Sequence, residues 1–188
     1  MGLSPPSNAG LASWGQAMDD KLHILEQLPG LDNIEPDVLR ALSALFDLQL
    51  YQGETLCTQG KDADRLWVLG SGKLSVVRTT QARHPCEVAQ LSPTCLVGFS
   101  GLVGIAQRSA SLHAVGDVEV LEMSAITASR ILETVDSPVS SAFRRAVIVA
   151  VSRQMGLANR NIARLAVEVG VAEPLVTEEQ LLRTNTLF

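Results

Sequence analysis

Val97-Gly98-Phe99-Ser100-Gly101-Leu102-Val103-Gly104-Ile105-Ala106-Gln107-Arg108-Ser109-Ala110-Ser111-Leu112-His113-Ala114-Val115 is the most informative stretch of this 188-residue chain. Its glycines at 98, 101 and 104 put no Cβ in the way, so the backbone can turn sharply and approach a ligand closely. A short loop with one helical turn fits that pattern. Arg108 follows, then Ser109, Ala110 and Ser111. The serine hydroxyls and the main-chain N–H groups could join one guanidinium in holding an anion, of which phosphate is the best match. The same residues also suit a glycine-rich surface turn with a solvated arginine, so the flanking sequence has to decide.

Upstream, from Phe46, the apolar period is two for about seventy-five residues and short apolar runs alternate with turn residues. Leu48 and Leu50 lead to Gly53-Glu54, Leu56 to Gln59-Gly60, and Leu66 and Val68 to Gly70-Ser71-Gly72. Leu74 and Val76 lead into a polar stretch from Arg78 to Pro85. Many short strands at that spacing predict a sandwich or barrel. Before them, Asp19 and Asp20 open a helix with Leu22, Leu25 and Leu28 on one face, closed by Pro29-Gly30. A second helix is predicted with Pro36 in its first turn and Ile34, Val38, Leu42, Leu45 and Phe46 at three- and four-residue steps. Residues 1–16, rich in Pro, Gly, Ser and Asn, read as a mobile lead-in.

Downstream the period becomes helical at Ser137-Pro138, a cap and first turn. Ile148, Val151, Met155, Ala158, Ile162, Leu165 and Val169 then step by three and four, an a/d seam of three heptads. A long helix lying on its own barrel would explain part of this face, but the strict continuation favours pairing with a second copy. Arg144, Arg145, Arg153, Arg160 and Arg164 stand against Glu168 alone and read as a solvated basic face. Gly170 stops the helix, and Thr177-Glu178-Glu179-Gln180 has capping-box spacing for a last short helix.

With both flanks in view, the stretch resembles the phosphate-binding cassette of cyclic nucleotide-binding domains, Phe-Gly-Glu, a short helical turn, then Arg-x-Ala-Ser/Thr. Gly98, Leu102, Arg108, Ala110 and Ser111 fall on its positions. The strand region resembles the front half of the same family through Gly53, Glu54, Gln59, Gly60, Asp64, Leu66, Val68 and Gly72. The resemblance covers residues 22 to about 168. It implies an α+β fold, a jelly-roll barrel with helices at both ends. Residues 17–136 would be the nucleotide-binding domain, 137–169 a long dimerisation helix, and 170–188 a short tail. It also implies a ligand site built from Gly98, Phe99, Ser100, Gly101, Arg108, Ser109 and Ser111, with Ser152 and Arg153 of the helix near the bound base. One departure stands out: the family's glutamate, which accepts a hydrogen bond from the ribose 2′-hydroxyl, is Phe99 here. A ring cannot accept that bond, and losing a charged partner for a hydroxyl costs about 1.5–3 kcal/mol, roughly ten- to a hundredfold in affinity.

Composition narrows the function further. The net charge is −5, which gives no overall basic footprint for nucleic acid or an anionic membrane. Cys57, Cys86 and Cys95 lack metal or disulfide spacing and read as small buried thiols in a reducing cytoplasm. The first ten residues do not have the order of a secretory signal, Pro6 disfavours myristoylation, and the longest apolar run, Ala146 to Val151, is far too short for a span. His23, His84 and His113 are scattered, and no metal site is expected. Gly98-Phe99-Ser100-Gly101 lacks the last glycine of a nucleophile elbow, Gly70-x-Gly72 reads as a hairpin turn, and no carboxylates are paired for acid/base work. No enzyme is expected.

The expectation is a cytoplasmic homodimeric sensor, without cofactor, that takes a small anion, cyclic AMP or cyclic GMP by resemblance, and signals to a partner protein. The alternative is an assembly module with a degenerate pocket. In transcription factors of the catabolite activator type a helix-turn-helix domain follows the dimer helix. The residues after Gly170 are too few to present a recognition helix in that way, so sequence-specific DNA binding is not expected.

Overall fold

The computed structural model describes residues 18–79, 84–104 and 106–170. The predicted lead-in over 1–16 and the capping-box helix after Thr177 lie outside them. The chain divides into two units, Met1–Ala150 and Val151–Phe188.

In the first unit, helix α1 occupies residues 18–26 and α2 is Pro36–Ser43. Eight strands follow: β1 (Asp47–Gln52), β2 (Thr55–Cys57), β3 (Arg65–Ser71), β4 (Leu74–Thr79), β5 (Pro85–Leu91), β6 (Cys95–Val97), β7 (Ser111–Ala114) and β8 (Asp117–Ser124). A 3-10 turn, Phe99–Val103, lies between β6 and β7. Helix α3 is Ala125–Glu133, and α4 runs from Pro138 to Glu168 across both units. All pairings are antiparallel and make two four-stranded sheets, β1-β8-β3-β6 and β2-β7-β4-β5. The expected barrel is therefore a β-roll of two sheets that do not close on one another.

Trp67, Leu69, Leu74, Val97, Leu112, Ala114, Val118 and Val120 fill the space between the sheets, with Tyr51, Leu56 and Val76 packed on them. Because side chains alternate along a strand, Leu66, Val68 and Leu121 point the other way. They are fully buried as well, so helices cover the outer face of β3 and β8. Ile24 of α1 lies so close to Gly70 that a Cβ there would collide with it. Strand β3, central in its sheet and buried on both faces, has no polar alternation, hence the solid apolar run Leu66-Trp67-Val68-Leu69. Edge strand β1 is covered less completely, and Leu50 is exposed despite its place in the period.

The helices differ in detail from their predicted faces. Helix α2 buries Leu39 and Leu42 and ends at Ser43, leaving Phe46 buried beyond it and Leu45 exposed. Helix α3 did not stand out in the sequence. It starts directly from β8, where the Ser124 hydroxyl accepts a hydrogen bond from Thr127 N–H at 3.1 Å. Helix α4 is as expected, with Pro138 in its first turn and Gly170 at φ +71° beyond its end.

Two of the arginines read as a solvated face are exposed and also make structural hydrogen bonds. Arg145 donates to the carbonyls of Gly30 and Asp32, and Arg144 to those of Leu132 and Thr134 at 3.2 and 3.4 Å. Gly30, at φ +96°, permits this contact, since a Cβ there would stand 2.8 Å from Ala146 Cα.

Candidate functional site

The segment from Gly98 to Ser111 is held by residues 59–64, the Gln59-Gly60-x-x-x-Asp64 motif of the strand region. Gly60 N–H donates to Arg108 O at 2.9 Å, Arg108 N–H to Lys61 O at 2.8 Å, and Ala63 N–H to Ala106 O at 2.8 Å. Ser111 Oγ accepts from Gln59 N–H at 3.0 Å. Two motifs nearly fifty residues apart are thus one backbone ladder. Gly98 (φ +78°) and Gly104 (φ +81°) bracket the 3-10 turn in left-handed conformation, while Gly101 packs against the Ala63 carbonyl, where a Cβ would not fit.

This ladder turns the Arg108 side chain inward, leaving the residue only 4% exposed. Its Nη1 donates to Gly98 O at 3.1 Å and its Nη2 to Asp64 Oδ1 at 3.2 Å. The guanidinium lies over the Trp67 ring, 4.7 Å from the centroid, a cation–π contact. A Cβ at Gly98 would come within 3.0 Å of both Trp67 and Arg108 Nη1. Arg108 Nε is buried and has no hydrogen-bond partner among the described residues. The ring in turn is fixed from its other end: Trp67 Nε1–H donates to Glu122 Oε2 at 2.8 Å, and Glu122 also receives Tyr51 Oη–H at 3.3 Å and the Arg65 guanidinium. Arg65 Nε is 3.6 Å from Asp64 Oδ2, which closes a circuit Arg108–Trp67–Glu122–Arg65–Asp64. Burial, and next the Glu122 carboxylate, raise the Tyr51 phenol above its ordinary value.

Of the site residues expected from sequence, Gly98, Phe99, Ser100, Gly101, Arg108, Ser109 and Ser111 fall within this one segment. Phe99 opens the 3-10 turn and is half-buried, and Ser109 is exposed. Ser152 and Arg153 are exposed on α4 in the second unit. Asp64 and Trp67, which carry the arginine, were not among the expected site residues; the only signal was Asp64's place in the strand motif.

Cysteines contradict the uniform buried reading. Cys86 is exposed on β5, whereas Cys57 and Cys95 are half-buried. Burial raises the Cys57 thiol, with Arg108 opposing it, and pushes Cys95 to about 11. At pH 8 the Cys95 thiolate is scarcer than that of an ordinary cysteine by about a hundredfold. Alkylation followed by mass spectrometry should therefore label Cys86 first and Cys95 last. Labelling of Cys95 at the Cys86 rate would contradict this packing.

The fold and site together define a β-roll in which a glycine-bracketed turn holds one buried arginine. The family model described as cyclic nucleotide-binding domain matches residues 48–135, which span β1 to α3 and the whole segment above. Over those residues the chain is similar to the cyclic nucleotide-binding domain family. The cyclic AMP receptor protein of Thermus thermophilus is 31% identical over 96 residues, 50% of this chain and 44% of that protein. The chain thus corresponds to less than half the length of that relative. The crystal structure of the Thermus thermophilus catabolite activator protein superposes with a TM-score of 0.62 at 24% identity, covering 73% of this chain and 63% of that one. A cyclic nucleotide-binding domain from Methylobacillus flagellatus gives a TM-score of 0.69 at 14% identity, over 86% of this chain and 88% of that one. At these identities the two structures support the fold. Among the described residues no helix is long and apolar enough to cross a membrane.

Proposed function

We propose that the protein is a cytoplasmic regulatory sensor whose ligand is a small anion of the cyclic nucleotide class, cyclic AMP or cyclic GMP, taken up at the Gly98–Ser111 segment. The observation that carries this reading is Arg108: a guanidinium withdrawn from water whose Nε–H has no acceptor among the described residues. A buried N–H is costly until something accepts from it, and a phosphate oxygen is a strong acceptor that the neighbouring main-chain N–H groups and Ser109 could also serve. The family of residues 48–135 and the similarity to a cyclic AMP receptor protein support the nucleotide. In this reading 17–136 is the sensing domain, 137–169 pairs with a second copy through Ile148, Val151, Met155, Ala158, Ile162, Leu165 and Val169, and a partner protein reads the outcome. Ser152 and Arg153 would contribute to the base. Five of the seam residues, Ile148, Met155, Ile162, Leu165 and Val169, are at least half exposed in the single chain, as a seam awaiting a second copy requires. Ligand can drive this output only by preferring one helix arrangement over another. Neither catalysis nor sequence-specific DNA reading belongs to the proposal.

A second reading is favoured by a specific observation: Arg108 already has a carboxylate, Asp64, as its partner, and Phe99 stands where the family's ribose-binding glutamate would be. The segment would then be an internal brace and the protein an assembly module. Calorimetric titration of the purified protein with cyclic AMP and cyclic GMP separates the two. Binding at micromolar or tighter is the result expected of the sensor. No heat at millimolar nucleotide overturns the cyclic nucleotide reading and leaves the brace.

A further inference from the structure

Within Met1–Ala150, helix α3 and the head of α4 enclose an open groove of about 270 Å³ that contains no residue of the Gly98–Ser111 segment. Arg130 and Ile131 of α3 line it on one side, and Ser137, Val139 and Ser140 on the other. It is smaller than the roughly 300–1,000 Å³ usual for a drug-sized ligand, so it suits a small molecule. Its polar groups are donors in search of an acceptor. Ser140 is only 2% exposed and lines the groove, yet its hydroxyl makes no hydrogen bond among the described residues. A buried hydroxyl left unpaired is costly, and the groove is the side from which a partner can reach it. The Val139 N–H has no backbone acceptor among the described residues, and the Ser140 N–H reaches the Ser137 hydroxyl at 3.4 Å. Since proline has no N–H, these two groups present the positive end of the α4 dipole. The Ser137 hydroxyl, as acceptor of that bond, keeps its own hydrogen to donate. Thr127 of α3 does the same, accepting from Ser124 Oγ at 2.8 Å.

Arg130 supplies the charge. It is exposed and forms no ion pair among the described residues. An arginine in the last turn of a helix often serves its final carbonyls. Here Arg144 does that work from α4, at 3.2 Å from Leu132 O and 3.4 Å from Thr134 O. Arg130 is thereby left free for another acceptor. Glu133 and Asp136 are exposed in the same connection and pair with neither arginine, so the rim is neutral overall. A neutral rim favours a small anion over a polyanion, which gains most from a field of one sign. Ile131 and Val139, both half-buried, add an apolar wall. We propose that this groove is a second binding site, separate from Gly98–Ser111, for a small organic oxyanion, a phosphate ester or a carboxylate. Its oxygens are met by Arg130, the Ser140 hydroxyl and the Val139 N–H, and its apolar part rests on Ile131 and Val139.

The test is an amide NMR titration of the full chain with phenyl phosphate and, separately, with benzoate, at constant ionic strength set by sodium chloride. The site predicts saturable shifts of the Val139 and Ser140 amides at millimolar probe. A response to phenyl phosphate alone identifies a phosphate ester, and a response to benzoate a carboxylate. Arg130→Gln removes an exposed charge that has no partner within the protein, so the melting temperature should hold while affinity falls about tenfold or more, the loss of a charged hydrogen bond. Ser140→Ala should weaken binding about threefold to tenfold, the loss of a neutral one, without lowering the melting temperature. A lower melting temperature for Ser140→Ala would mean that the hydroxyl is bonded inside the protein, and would overturn the site. So would the absence of saturable shifts at these two amides, or a response that Arg130→Gln leaves unchanged. The amides of Gly98–Ser111 are read in the same spectra. Shifts confined to them overturn this proposal and spare the sensor reading, whereas a silent segment beside a responding groove does the reverse.

Discussion

Trp67→Ala is expected to lower folding stability by about 3–5 kcal/mol, the range for truncating a large buried aromatic side chain. Trp67 is 1% exposed and sits in the middle of the residues between the two sheets. The cost has three sources that a second variant separates. Alanine leaves a cavity among Leu69, Val97, Val118 and Val120, removes the Nε1–H that Glu122 accepts at 2.8 Å, and takes away the ring beneath Arg108. Trp67→Phe keeps most of the ring and loses chiefly the N–H. It should cost about 1–3 kcal/mol, the penalty of depriving a charged acceptor of one hydrogen bond, with a weaker cation–π contact under Arg108. Urea unfolding with an unchanged denaturant slope measures both. Equal losses for the two variants would mean that the Glu122 bond dominates and packing is minor. A loss under 1 kcal/mol for alanine would contradict the burial of Trp67.

The legible parts of this fold were those whose residues are fixed by backbone conformation or by a long period. Gly98 and Gly104 are at positive φ, and Gly101 is where a carbonyl approaches, so glycine was demanded at all three. The arginine at the end of that turn could be placed from spacing alone. The long helix was legible because a three-four step sustained from Ile148 to Val169 has no other regular interpretation. Asp64 and Trp67 were illegible as partners of Arg108 because they come from a strand start 44 and 41 positions earlier, and register across two sheets leaves no periodic trace. Trp67 looked like one apolar strand residue among four. Arg144 and Arg145 looked like solvated charges because their acceptors are main-chain carbonyls, which a sequence does not distinguish. Helix α3 escaped notice because it begins without a break from β8 and spans only Ala125–Glu133.

Arg108→Ala carries the largest expected functional effect, and the geometry makes it a double loss. Removing the guanidinium deletes the only cationic group within hydrogen-bonding reach of Gly98 O and Asp64 Oδ1 among the described residues. For an anion at this segment, losing a charge-assisted partner costs about 1.5–3 kcal/mol or more. Cyclic nucleotide affinity by calorimetry should accordingly fall by about a hundredfold. Stability should fall as well, but less than for Trp67→Ala. Asp64 is 65% exposed at its side chain and returns to water without penalty, so the loss is confined to the stacking on Trp67, the Gly98 carbonyl and the emptied volume. Arg108→Lys then distinguishes charge from shape. Lysine restores a cation but neither a planar face for Trp67 nor a fork that reaches Gly98 O and Asp64 together. If anion binding depends on charge alone, lysine recovers most of the affinity while the stability deficit persists. Recovery of stability without affinity would make Arg108 a brace whose acceptors are internal. A nucleotide affinity untouched by Arg108→Ala would remove this segment from the binding site altogether.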